Sequence, residues 1–106
     1  CAITLNNLGS IYYLNGKYDK AIGNYRHALD ICPTFADALS NMAISLHKVG
    51  MDDDDETQIN EATSCFEKAL ELRPDFGIAW ANFALHKFEK NREERTSFHE
   101  KTNLFI

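Results

Sequence analysis

At 106 residues the chain has room for one domain with one modest core. Sixteen Asp and Glu against eleven Lys and Arg give a net charge of -5, and the basic residues form no stripe that could follow a phosphate backbone, which argues against nucleic acid as a partner. No apolar run approaches the roughly 18 residues of a membrane span, so membrane insertion is not expected either.

A first helix is predicted over residues 2–14, carried by Leu5, Leu8, Gly9 and Tyr12, and Asn15-Gly16 breaks it. A second, over 18–31, carries Ala21, Tyr25 and Ala28 and is stopped by Pro33, which lacks a backbone donor and clashes with the preceding turn. A third follows over 36–49 with Leu39, Met42, Ala43 and Leu46, up to Gly50. The fourth, over 56–72, carries Ile59, Ala62, Phe66 and Ala69 and is stopped by Pro74. The fifth and sixth, over 77–90 and 93–104, begin with Trp80, Phe83 and Ala84 and continue on Phe98, Thr102 and Phe105 at helical spacing. No strand is predicted.

These helices repeat. Gly9 to Ala43, Gly16 to Gly50 and Asn7 to Asn41 are each 34 residues, whereas Ala43 to Ala84, Ala21 to Ala62 and Pro33 to Pro74 are each 41. Seven extra residues therefore lie between Gly50 and Ala62. Seven is close to two helical turns, and Ile59 continues the stripe of Ala62, Phe66 and Ala69. The insertion is thus read as a backward extension of the fourth helix, in preference to a loose acidic loop. The run Met51-Asp52-Asp53-Asp54-Asp55-Glu56 then caps that helix and complements its dipole. It lacks the glycine turn and the closing Glu of a calcium loop, so no metal site is expected.

Leu5-x-x-Leu8-Gly9-x-x-Tyr12, Ala21-x-x-x-Tyr25, Ala28 and Pro33 fill the slots of the tetratricopeptide-repeat pattern, and the chain resembles that family over residues 2–90. The resemblance implies an all-α superhelical solenoid of antiparallel helix pairs. Repeat one covers 2–35, repeat two 36–76, and a partial or capping repeat 77–106. It also implies a module that binds an extended segment of a protein partner in a concave groove, not an enzyme, with no cofactor. In that family the residue before the Leu-Gly pair faces the groove, which here assigns Asn7, Asn41 and Asn82 as backbone clamps, an amide being both donor and acceptor. Ser10, Tyr13, Ser40, Ile44, His47 and Lys48 are further groove candidates, with Leu85 and Phe88. The stretches Cys32–Ala43 and Arg73–Trp80 look like the superhelical arm of the O-linked N-acetylglucosamine transferase, a likeness of binding style that leaves open a substrate arm of a larger enzyme or a rung in an assembly. The family's carboxylate clamp does not transfer: its positions are Asn6, Ser10, Asn41, Ile78 and Asn82 here, without the cations a carboxylate needs.

Nothing catalytic stands out. His27, His47, His86 and His99 lie on different helices without an evident acidic or thiol partner, and surface or interface roles are expected for them. Cys1, Cys32 and Cys65 match no ligand or disulfide spacing, which suggests a reducing cytoplasmic or nuclear setting. Cys1 as the first residue and the apolar Leu104-Phe105-Ile106 at the other end suggest an excerpt of a longer chain.

Overall fold

The structure is a computed structural model; it describes the backbone of residues 1–103 and the side chains of residues 1–92. Five helices follow one another: α1 (Ala2–Leu14), α2 (Tyr18–Ile31), α3 (Ala36–Asp53), α4 (Glu56–Leu72) and α5 (Gly77–Asn103). Each packs on the next, and α3 additionally reaches both α1 and α5. The odd-numbered helices thus stand side by side along one face, which is the all-α solenoid expected from the repeat.

Small residues decide how closely the helices approach. Ala21, Ala28, Ala43, Ala62 and Ala69 are fully buried, and Leu46 and Phe66 fill the space left between them at 0% and 1% exposure. Burying a ring the size of Phe66 contributes about 1.5–3 kcal/mol. Gly9 shows how tight the first hairpin is: a Cβ there would lie 2.6 Å from the Tyr25 ring. The Tyr25 hydroxyl meets the Ser10 hydroxyl at 3.2 Å, and burial raises its pKa. Cys65 lies in the same core, its thiol pushed up to about 11 by burial first and by the charge of Glu61 second.

The helix ends follow from local chemistry. Gly16 takes φ 76, a left-handed turn that costs glycine nothing, and lets Lys17 N–H return to the Tyr12 carbonyl at 2.9 Å. The two proline stops are copies of each other: Cys32 sits at φ -133, ψ 88 before Pro33, and Arg73 at φ -136, ψ 84 before Pro74. The sequence period is therefore also a period in backbone conformation.

Two regions differ from the sequence expectation. The insertion lengthens α3 as well as placing α4: α3 runs on to Asp53, so Gly50 is inside the helix rather than at its end. Its missing side chain is filled by α4, since a Cβ there would come 2.8 Å from Ile59 Cγ1 and 3.1 Å from Ile59 N. Asp54 then turns left-handed at φ 52, with Asp55 N–H on the Gly50 carbonyl at 2.8 Å. Asp55 caps α4 as expected, its carboxylate accepting from Thr57 N at 3.0 Å and Gln58 N at 3.4 Å.

The second difference is at the other end, where the expected helices over 77–90 and 93–104 are one helix, α5. Lys90, Asn91 and Arg92 include neither Gly nor Pro, and nothing local obliges the chain to turn. The side chains of Phe98 and Thr102, and all of residues 104–106, lie outside what is described.

Candidate functional site

A cleft of about 280 Å³ opens between the odd-numbered helices. Tyr13 enters it from α1, Ile44, His47, Lys48, Met51 and Asp52 from α3, and Asn82, Leu85, His86 and Glu89 from α5, with Phe66 of α4 as its floor. Its lining mixes apolar side chains with amide, imidazole and charged groups.

Five of the residues expected at a groove line this cleft: Tyr13, Ile44, His47, Lys48 and Asn82. Leu85 joins them, exposed at 53%, and Phe88, one turn on, is exposed at 64%. The others are placed differently. Ser40 is buried at 2% exposure, facing the packed helices. Ser10 is half-buried and occupied, donating to the Asn6 carbonyl at 3.1 Å besides its contact with Tyr25. Asn7 is exposed, and the amide that meets Asn41 from repeat one is Asn6, one position earlier: Asn41 Nδ2 donates to Asn6 Oδ1 at 3.1 Å. Asn82 lines the cleft, and its Nδ2 donates to the Ile78 carbonyl at 2.9 Å, so its Oδ1 is the atom of the amide left to accept.

The histidines are where sequence reasoning fell shortest. His47 and His86, expected as separate surface or interface residues, meet with Nδ1 to Nδ1 at 2.7 Å. His47 Nε2 reaches Glu89 Oε2 at 2.7 Å, and His86 Nε2 reaches Thr63 Oγ1 at 2.7 Å. One hydrogen-bonded chain therefore runs from α5 to α3, back to α5 and on to α4. His86 is buried at 1% exposure, against Phe66 and Phe83. Burial first, and then the neighbouring His47 and Lys90, hold its pKa down at about 4. In the repeat register His47 corresponds to Phe88, not His86, so no periodic signal announces the pair.

Outside the cleft, Arg26 of repeat one grips Glu61 of repeat two with two bonds of 2.6 and 2.9 Å, and within repeat two Arg73, just past α4, meets Asp37 at the start of α3 at 2.7 Å. Among the described residues no group of three His, Cys, Asp or Glu is arranged to hold a metal ion, and no helix is long and apolar enough to cross a membrane.

The chain matches the family described as TPR repeat over residues 9–50 and that described as tetratricopeptide repeat over residues 54–76. Two similar curated proteins are photosystem I assembly proteins Ycf3. That of Synechococcus sp. (strain WH7803) is 35% identical over 69 residues, 65% of this chain and 40% of that protein. That of Cyanophora paradoxa is 35% identical over 87 residues, 76% of this chain and 50% of that protein. The chain thus spans half or less of the length of these relatives. Among solved structures, the first TPR of Spaghetti (RPAP3) bound to HSP90 peptide SRMEEVD superposes with a TM-score of 0.73 at 23% identity, covering 89% of this chain and 71% of that one. That likeness is one of fold.

Proposed function

Because the chain is built of tetratricopeptide repeats, we propose that it is a protein-interaction module that holds an extended segment of a partner protein along the face made by α1, α3 and α5. The observation that carries this reading is the cleft itself. It offers Tyr13, Ile44 and Leu85 as apolar contact surface beside Asn82, whose amide would bond the partner's backbone; Asn41, half-buried on the same helix as Ile44 and bonded to Asn6, would extend that ladder toward repeat one. Each such bond contributes roughly 0.5–1.5 kcal/mol net. Asn7 remains part of the proposed ladder only at its exposed end, with Asn6 supporting Asn41 from beneath.

The partner segment is neutral or basic and carries apolar side chains. Lys48 is the cation of the cleft, opposed by Asp52 and Glu89, and the clamp positions Asn6, Ser10, Asn41, Ile78 and Asn82 hold no positive charge. An acidic peptide such as SRMEEVD would meet one cation, Lys48, set between two carboxylates, and none at the clamp positions. Titration of a labelled lysine/leucine peptide and of SRMEEVD against the wild type and an Asn82→Ala, Leu85→Ala double variant tests this. The first peptide should bind and lose affinity in the variant; tighter binding of SRMEEVD would refute the reading. Similarity to proteins named for photosystem assembly favours a partner that is itself a subunit under assembly. The likeness to a glycosyltransferase arm describes the same style of grip on a longer chain.

A further inference from the structure

We propose that the His47–His86 pair is a proton-operated latch: it fastens α5 to α3 through a single shared proton, tolerates one added proton, and releases α5 when a second arrives, so that acid opens the groove.

Proton counting along the hydrogen-bonded chain leads to this. The Glu89 carboxylate accepts only, so His47 Nε2 must carry hydrogen. Two Nδ1 atoms 2.7 Å apart hold one hydrogen between them. The remaining atom, His86 Nε2, has a partner that serves either way, because Thr63 Oγ1 both donates and accepts. With the hydroxyl donating to Nε2, both rings are neutral, and His86 supplies the shared hydrogen. With the hydroxyl turned to the Ile59 carbonyl, 3.2 Å away, Nε2 carries hydrogen, and the shared hydrogen belongs to His47, which becomes the cation beside Glu89. The geometry survives this first proton. A second would set two N–H groups and two positive rings against each other, and the bridge breaks.

What breaks with it is the docking of α5. Among residues with described side chains, α5 buries Ala79, Phe83 and His86, spaced four and three apart on one face, so Phe83 and His86 are its two large anchors. The charges around the pair come from two helices, and neutral polar groups from the other two. Lys87, Glu89 and Lys90 lie on α5 itself, Lys48 and Asp52 on α3, and Tyr13 faces the cleft from α1, while α4 offers Thr63 and Asn60, the latter held by Lys90 at 3.2 Å. His86 is held at about 4 against the ordinary histidine value of 6.5. Undocked α5 therefore binds more protons than docked α5 between those values, and docking weakens as pH falls through that window.

The inference concerns the wall of the groove assigned above to the peptide, and its test reads α5 without any ligand. Amide hydrogen exchange, corrected for the intrinsic effect of pH, should show α5 losing protection relative to α2 and α3 by up to roughly tenfold per pH unit between about 6 and about 4. His86→Gln, which keeps a donor and an acceptor but takes no proton, should remove that slope. The latch is overturned if α1 to α4 lose protection in parallel, or if His86→Gln keeps the slope. Should that variant not fold, proton NMR of the wild type decides: His86 titrating while α5 keeps its protection also overturns it. If α5 opens with acid but affinity for the lysine/leucine peptide does not follow, the peptide reading fails and the latch stands.

Discussion

Helix α3 is flanked by α1 and α2 on one side and by α4 and α5 on the other, and it buries ten of its 18 residues. Helix α5 rests on α4 and the end of α3, and three of its described side chains are buried. Half of the α3 residues are apolar, and so are half of the α5 residues between Gly77 and Arg92, yet one helix is core and the other leaves Ile78, Trp80, Leu85 and Phe88 more than half exposed. In a stacked array burial is a property of position as much as of sequence, because each helix borrows its core from both neighbours. Helix α1 repeats the point from the opposite end, with Ile3, Ile11 and Leu14 open. The well-flanked centre is then expected to open last and α5 early.

Phe66 belongs to both regions, since it fills the α3–α4 hairpin and stacks on Phe83 of α5 at 5.4 Å. Phe66→Ala should therefore lower unfolding free energy by about 3–5 kcal/mol in urea titration, and strip α5 of exchange protection at the same time. Protection of α5 surviving that change would mean that it docks by other means. Gly50→Ala acts on the hairpin alone, where the Ile59 backbone cannot easily move aside, and should cost about 1–3 kcal/mol by the same titration. A neutral result there would show the extended part of α3 to be loosely packed. Asp55→Ala removes the cap of α4 and should cost about 1 kcal/mol, with α5 little affected. Smallest is the Arg26–Glu61 pair, about half and a third exposed, for which a double-mutant cycle should return less than about 1 kcal/mol.

Most of this architecture is legible in the residues. The repeat spacing located four helices, both proline stops and the alanines that seal the hairpins, because these depend on backbone chemistry and on which neighbours must fit closely. Asp55 as a cap was readable for the same reason. The continuation of α3 past Gly50 was not: a glycine before acidic residues reads as an ending, and only the approach of Ile59 shows why a residue without a side chain is needed inside the helix. The unbroken α5 escaped because a lapse in repeat register was read as a turn where no turn-forming residue stands. In the cleft, Tyr13, Ile44, His47 and Lys48 came from helical register, and Asn82 from the family resemblance. The contact of Asn6 with Asn41 and the chain from Glu89 through His47 and His86 to Thr63 did not, since these meetings depend on how two helices are rotated about their own axes, a quantity that a repeat period leaves open.

Cys65 gives the core a clock. Its thiol is covered, and with its proton held to about pH 11 almost none of it is the reactive thiolate at neutral pH. A thiol reagent therefore consumes it only at moments when the α4 layer parts, whereas exposed Cys1 reacts continuously and supplies the reference rate. The ratio of the two modification rates counts openings of the native core over time, with no probe added to the protein.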